Sequence, residues 1–460
     1  MKSILTIIFF VFAFGTFSFG QHIIIRNITI EGNEITKSQI ILRELTFAKS
    51  DTIKKQDWEN ARKQSEENLI NLSLFHTVEI SFNSIESPQD VVIKVTERWY
   101  LWPIPQIDID ERNFNAWLQS KSLERASAGI MLTHNNMRGQ GEILKLLVMM
   151  GYNQQLGMSY EFPSINRNRT FGIGFQSIYT MSHEVNAKTE YDKQVYLKTE
   201  NEPIRKDWLS AIQFQYRPKH YLSHLFQLRY HQWQFADTLV KFNPKYSPHS
   251  ITDLKYFGFY YKLKIDHRDY QPYPLTGYYV DLEINKYGMG LYQNELNILS
   301  FKSTIRKYLQ ISDRWFFALG VIAKMSNNEV QPYLLERGLG FGRDFVRGYE
   351  YYVVNGQDYV VGKSNIKFEL IPKKVVKLNW IKSPKFNTIP FTFYLNLFSD
   401  IGIVNNSQFN SPTNVLPNTF LYSGGIGLDF VSYYDAVARF EWAMNAKGES
   451  HFYLHFIAPI

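Results

Sequence analysis

The 460-residue chain contains no cysteine. Disulfide frameworks, thiolate metal sites, a cysteine nucleophile and a lipid-anchored N-terminal cysteine are thereby excluded. Beyond the N-terminus it also lacks any run of about 20 apolar residues, which excludes a helical membrane protein. Charge of one sign is scarce: Lys and Arg (50) exceed Asp and Glu (43) by only 7, and the basic residues are scattered. They never gather with aromatics in a recognisable nucleic-acid module, so no nucleic-acid partner is expected. What is abundant is aromatic: 35 Phe, 30 Tyr and 9 Trp. A disordered chain, which needs few aromatics and high net charge, is excluded in turn.

Met1-Lys2 precedes an apolar core from Ile4 to Phe14, and Ser18-Phe19-Gly20 places small residues before Gln21. Residues 1–20 thus carry the pattern of a secretory signal peptide. The alternative, an N-terminal membrane anchor, needs roughly 17 to 25 apolar residues. The mature chain is expected to be exported.

Residues 21–99 read as one small α+β domain in the order strand, helix, helix, strand, strand. His22 to Glu31 is strand-like and stops at Gly32-Asn33. Thr36 and Gln39 have capping-box spacing for a helix carrying Ile40, Ile41 and Leu45. A second helix starts near Asp57 and runs through Leu69 and Leu72, followed by strands at Thr77 to Phe82 and Val91 to Thr96. This order, with the segment Asn68-Leu69-Ile70-Asn71-Leu72-Ser73-Leu74-Phe75-His76-Thr77-Val78, resembles a POTRA domain, the periplasmic module attached to outer-membrane assembly barrels.

From residue 100 to 460 the helical period gives way to alternation over stretches of about ten residues, the signature of a transmembrane β-barrel. Phe257, Phe259, Tyr261, Leu263 and Ile265 share one face, and Gly258, Tyr260, Lys262 and Lys264 the other. A soluble β-sandwich alternates too, but aromatic richness and an export signal favour lipid outside and polar groups inside. Sixteen candidate strands start near Ala126, Glu142, Gln155, Thr170, Lys193, Trp208, His224, Leu254, Tyr278, Glu295, Trp315, Ser364, Pro390, Leu421, Ala436 and His451. An even count suits a closed barrel with both ends on one side. The longest connection, roughly Ser326 to Lys363, then faces the exterior.

That connection contains Arg337-Gly338-Leu339-Gly340-Phe341-Gly342-Arg343-Asp344-Phe345-Val346-Arg347-Gly348-Tyr349. Val346, Arg347, Gly348 and Tyr349 resemble the VRG-aromatic motif of the BamA/TamA/FhaC superfamily of outer-membrane assembly and translocation barrels. Phe398-Ser399-Asp400-Ile401-Gly402 is similar to its FxDxG motif, and Glu369 stands at its acidic position on the preceding strand. Weaker matches are Asn136-Met137-Arg138-Gly139-Gln140-Gly141, read as following the first barrel strand, and Asp266-His267-Arg268-Asp269 with Pro274 and Gly277. The resemblance implies a POTRA domain followed by a 16-stranded antiparallel transmembrane barrel whose long loop folds into the lumen. It also implies an outer-membrane location with the POTRA domain in the periplasm. The implied partners are outer-membrane lipid, an unfolded or nascent protein substrate and periplasmic accessory proteins. Arg347 would meet Asp400, with Glu369 as second acceptor, since an Arg fork brought into a lumen needs carboxylates. That contact would either anchor a static plug or work during transport. Departures exist: Ser432-Tyr433-Tyr434-Asp435-Ala436 lacks the family's prolines, Ile457-Ala458-Pro459-Ile460 follows the last strand, and only one POTRA is present.

No enzyme is expected, and no cofactor or metal. Gly362-Lys363-Ser364 lacks the P-loop glycine, because position 357 is Gln357, and Gly338, Gly340 and Gly342 miss the dinucleotide spacing. His220 with His224, and His451 with His455, sit on strands about 13 Å apart, too far to share a metal. No nucleophile elbow occurs. Two functions remain: a barrel that assembles or translocates proteins, its POTRA domain receiving substrate by strand addition, or a plugged passive or structural channel.

Overall fold

The computed structural model describes residues 22–82, 88–109, 126–166, 168, 170–200, 202–293, 295–327, 331–378, 380, 387–407, 411–432 and 436–456. The expected signal peptide lies outside them. The chain divides into two compact units, Met1–Glu97 and Arg98–Ile460.

In the first unit β1 (His22–Glu31), α1 (Ser38–Glu44), β2 (Thr52–Lys54), α2 (Lys55–Asn71), β3 (Phe75–Phe82) and β4 (Gln89–Glu97) follow in order. The sheet runs β2-β1-β4-β3, with β1 and β4 parallel. Buried Ile40, Ile41, Trp58 and Leu69 from the helices cover Ile25, Val91 and Ile93 of the sheet. Gly32 turns the chain at φ +88, where a Cβ would lie 2.0 Å from the Val95 carbonyl oxygen. The N-cap is Lys37, one residue past the expected Thr36, and its side chain makes no cap bond. The Thr36 N–H donates to Glu97 Oε1 at 2.6 Å, and the Ile35 N–H donates to the same carboxylate. A charged acceptor binds N–H groups more strongly than a neutral hydroxyl does, so Glu97 takes the loop.

The second unit is one 16-stranded antiparallel sheet. Its members are β5 (Leu101–Ile109), β6 (Ala126–His134), β7 (Ile143–Gly151), β8 (Asn153–Phe162), β9 (Phe171–Ser182), then, past a separate hairpin of β10 (Glu184–Glu190) and β11 (Lys193–Lys198), β12 (Arg205–Lys219), β13 (Leu222–Phe235), β14 (Asp253–Asp266), β15 (Gly277–Tyr287), β16 (Ile298–Ser312), β17 (Trp315–Ser326), β18 (Asp358–Lys377), β19 (Thr388–Asn405), β20 (Phe420–Val431), β21 (Val437–Asn445) and β22 (Ser450–His455). Two sequence expectations are corrected here, and they cancel in the count. Leu101–Ile109 is a strand that the sequence reading missed, while Lys193 belongs to a hairpin that pairs only with itself. Pro103 and Pro105 hid β5. Proline offers no N–H, so it is tolerated on a sheet edge, and β5 ends the strand order. The turn holding Asn136 to Gly141 consequently follows the second barrel strand, not the first.

On β19 the period of two separates the environments cleanly. Tyr394, Asn396, Phe398 and Asp400 are buried, whereas Leu395 and Leu397 are 48% and 54% exposed. Aliphatic exposure continues on other strands of the sheet, at Ile426 on β20 and Leu156 on β8 among others. A contiguous apolar exterior with a polar interior is the pattern of a membrane barrel. Among the described residues no helix is long and apolar enough to cross a membrane. We call the end where residues 98–100 enter β5 the near end, and the end carrying the β17–β18 loop the far end.

Candidate functional site

The β17–β18 loop leaves the far end and doubles back on itself. Leu339 and Val354 form an antiparallel bridge, with N–H to O distances of 3.1 and 2.9 Å, that pinches the loop at its neck. Gly340 is at φ +82, and a Cβ there would lie 2.3 Å from the Tyr352 carbonyl oxygen. Below the neck the tip enters the lumen, held at its rim by Asp344, whose carboxylate accepts from Lys302 and from the Tyr359 hydroxyl at 2.7 Å.

Arg347 lies at the tip, fully buried. Its Nε donates to Asp400 Oδ2 at 2.9 Å, its Nη2 to Oδ1, and its own backbone N–H to Oδ2 at 3.1 Å. Asp400 pairs with Lys363, five residues along β18 from Asp358, so the contact sits about 17 Å below the far-end start of that strand. The Phe398 ring lies 4.0 Å from the guanidinium carbon, a cation–π contact. At Gly402 a Cβ would come within 2.7 Å of Val346 Cγ2. Phe398, Asp400 and Gly402 therefore respectively stack on, bind and leave room for one loop tip. Gly348, at φ +87, faces Ser423 and Ala443 closely, and its carbonyl accepts from Asn445 Nδ2 at 2.9 Å and the Tyr453 hydroxyl at 3.3 Å. Tyr349 is buried, and its hydroxyl accepts from the Ala446 N–H.

The second carboxylate is Glu441, whose Oε1 is 3.5 Å from Arg347 Nη1; this corrects the expected Glu369. Glu369 pairs with Tyr394, six residues along β18 from Lys363 and hence about 20 Å nearer the near end. Its described role is local, its backbone carbonyl accepting from Arg314. Glu441 Oε1 is also 3.5 Å from Arg439 Nη1, and Arg439 forms a bidentate pair with Asp429 at 2.7 and 2.8 Å. The Tyr273 hydroxyl donates to Asp429 at 2.6 Å, and Lys367 Nζ lies over the Tyr273 ring at 4.1 Å.

Tyr273 comes from the near end, on the β14–β15 connection, whose Tyr270, Tyr273 and Leu275 pack against Phe316, Tyr394, Val431 and Val437. This explains Asp266, Arg268 and Gly277. Arg268 clamps Asp266 at 2.7 Å, and Gly277 at φ +100 passes so close to the His267 carbonyl that any Cβ would clash. Arg439, Asp429, Glu441 and Tyr273 were missed by sequence reasoning. Parity held the signal for three of them, since Asp429, Arg439 and Glu441 alternate with the outward Phe430 and Phe440.

At the far end the β10–β11 turn is stitched to the plug. The Asp192 carbonyl accepts from the Val353 N–H, and its carboxylate accepts from the Val415 and Leu416 N–H groups at 3.1 and 3.2 Å. Burial raises the Asp192 carboxyl pKa, opposed by those two donors and by Lys447. Among the described residues no cluster of His, Cys, Asp or Glu is arranged to hold a metal.

Residues 23–98 match the family model for POTRA, described as a surface antigen variable number repeat. The whole chain is similar in structure to BamA from Haemophilus ducreyi lacking POTRA domains 1-3, at 14% identity and TM-score 0.52, over 94% of this chain and 84% of that one. It is also similar to CdiB from Escherichia coli, at 12% identity and TM-score 0.53, over 94% and 74%. CdiB from Acinetobacter baumannii gives 14% identity and TM-score 0.50, over 94% and 72%. No curated protein matches the sequence. The chain joins a POTRA domain to a 16-stranded barrel whose fold is that of BamA and CdiB.

Proposed function

We propose that this protein assembles or translocates proteins at the outer membrane, with the POTRA domain in the periplasm receiving an unfolded chain by strand addition. The observation that carries the reading is the open edge of β3. It ends the order β2-β1-β4-β3, so its outer backbone groups are available to an incoming strand. One of them, the Ile80 N–H, is covered by Glu66 Oε1 at 3.0 Å, and a substrate strand displaces that carboxylate. The barrel then admits the chain once the loop tip leaves Asp400. Folding or binding of the substrate supplies the energy, and accessory proteins deliver it. The Arg347 network is a latch in this reading.

The filled lumen supports a second reading, a plugged channel with no transport. Photo-crosslinkers at Thr77, Glu79 or Ser81 in cells, combined with planar-bilayer conductance, separate the two. Transport predicts crosslinks to unfolded exported protein that strengthen in Glu66→Ala. Absence of such crosslinks from a protein that inserts and conducts would leave the channel reading.

A further inference from the structure

Near the near end β18 and β19 outrun their neighbours. β17 meets β18 no further than Trp315 opposite Phe368, and β20 meets β19 no further than Val431 opposite Thr392. Beyond, Lys374 with Phe391, Val375 with Pro390, Val376 with Ile389 and Lys377 with Thr388 continue as a two-stranded ribbon, touched at the Pro390 carbonyl by the Ser432 hydroxyl at 3.2 Å.

The outer face of the wall is layered as the ribbon is approached. Leu395, Leu397 and Ile401 form the aliphatic band on β19. Next comes an aromatic girdle: Phe393 packs on Phe430 at 5.0 Å and on Phe391 at 6.2 Å, and Trp315 on Phe368 at 4.8 Å. Directly paired residues share a face, so Lys374 and Val376 lie on the lipid side with Phe391 and Ile389. Lys373 comes just before Lys374, in the irregularity between Ile371 and Lys374, and Lys377, paired with Thr388, lies on the opposite face; both are exposed, as is Trp380 at 79%. No Asp or Glu occurs between Glu369 and Asp400, so the ribbon's charge is uncompensated in sequence. Lysines on a free strand commonly serve only to block edge pairing. That role explains neither the exposed tryptophan nor the order aliphatic, aromatic, cationic, which is the order hydrocarbon, interface, headgroup in a bilayer.

We propose that the β18–β19 ribbon lies on the near-side leaflet and holds anionic phospholipid headgroups, with Lys374 on a phosphate and Trp380 at headgroup depth. The attraction is electrostatic. It fixes the barrel's depth beside the strands that carry Lys363 and Asp400, and it is independent of whether the protein transports anything.

Because the chain has no cysteine, Trp380→Cys in the full-length protein carries the only thiol. An environment-sensitive NBD dye on it is followed in vesicles of phosphatidylcholine alone or with phosphatidylglycerol, folding being checked by the gel shift on boiling. The expected result is a blue shift and quenching by headgroup-level spin-labelled lipid that are strong only with phosphatidylglycerol and are reversed by salt. Lys374→Gln should lower the constant for surface contact about five-fold, equivalent to about 1 kcal/mol for one basic residue, and Lys377→Gln, on the opposite face, by clearly less. The salt titration needs no second substitution, so it stands even where a lysine variant fails to fold. A dye that stays water-exposed in both vesicles overturns the proposal. So does one buried equally in both and insensitive to salt, or one shielded by added polyglutamate but not by anionic vesicles.

Discussion

The two sides of the barrel's lumen are built differently. Along β18 to β21 the inward residues are ionic and sealed: Lys363, Lys367, Asp400, Asp429, Arg439 and Glu441 are all buried beneath the loop and the Tyr273 turn. Along β6 to β9 the inward residues are mostly small or uncharged, and Gly129, Met131, Leu147, Ser159 and Gln176 are only half-buried. The plug is therefore fastened to one wall rather than filling the lumen evenly. Buried ions demand partners, so they fix the loop's position, whereas the opposite wall places no such demand. A chain passing through the lumen meets little chemistry on the β6–β9 side and must break ion pairs on the other.

The strongest test of this asymmetry is a double-mutant cycle. Removing one member of a desolvated pair costs about 3 to 5 kcal/mol, because the other charge is left uncompensated. Arg347→Ala and Asp400→Ala should each lose about that much, and the double mutant clearly less than their sum. On the other wall Ser159→Ala should stay within about 0.5 kcal/mol. Denaturant unfolding of the detergent-folded barrel reads all four variants. Additive losses would mean that Arg347 and Asp400 do not act together.

Conductance sharpens the same contrast. Deleting Arg337 to Tyr352 should raise single-channel conductance, but only in part, since the Tyr273 turn still blocks the lumen from the near end. Adding Tyr270→Ala and Tyr273→Ala to that deletion should open it further. If the loop deletion alone gives the full increase, the near-end turn is no second obstruction. A smaller effect separates two glycines. Gly402→Ala places a methyl 2.7 Å from Val346 Cγ2, an overpacking that costs about 1 to 3 kcal/mol. Gly157→Ala meets Leu147 and Ile178 side chains at an ordinary 3.4 Å and should be nearly neutral in the same unfolding assay.

How much of this was legible beforehand depended on whether the signal was local. Alternation along Tyr256 to Ile265 and along β19 revealed the barrel, because a period of two is written residue by residue. The short motifs marked Arg347 and Asp400, because they are contiguous in sequence. What failed was non-local or disguised. Glu441 could not be chosen over Glu369 without knowing the stagger between β18 and β21, which depends on every register between them. The β10–β11 hairpin alternates as a wall strand does, and nothing local says that it pairs only with itself. The partner of the Thr36 N–H is Glu97, a residue 61 positions away that no local pattern points to.

The smallest predicted effect concerns the far-end cap, where the plug meets the β10–β11 turn outside the membrane band. Asp192 holds Val415 and Leu416 through its carboxylate and Val353 through its carbonyl, while its own N–H donates to Asn414 Oδ1 at 2.8 Å. Burial is the largest influence on its carboxyl and raises the pKa; the two N–H donors and Lys447 only reduce that rise. A folded-state pKa above the unfolded one means that the folded cap binds the proton more readily. The cap is then weakest at neutral pH and above. It gains stability as pH falls through the raised pKa, until the unfolded carboxyl is protonated as well. The two N–H donors and Lys447 offset part of the burial, so the gain is small. Hydrogen exchange at Val353, Val415 and Leu416, corrected for intrinsic pH dependence, should slow in the mildly acidic range. Asp192→Asn should flatten that profile. A slope that survives the substitution would assign the titration to another group, and the cap would contribute nothing pH-dependent to the hold on the plug.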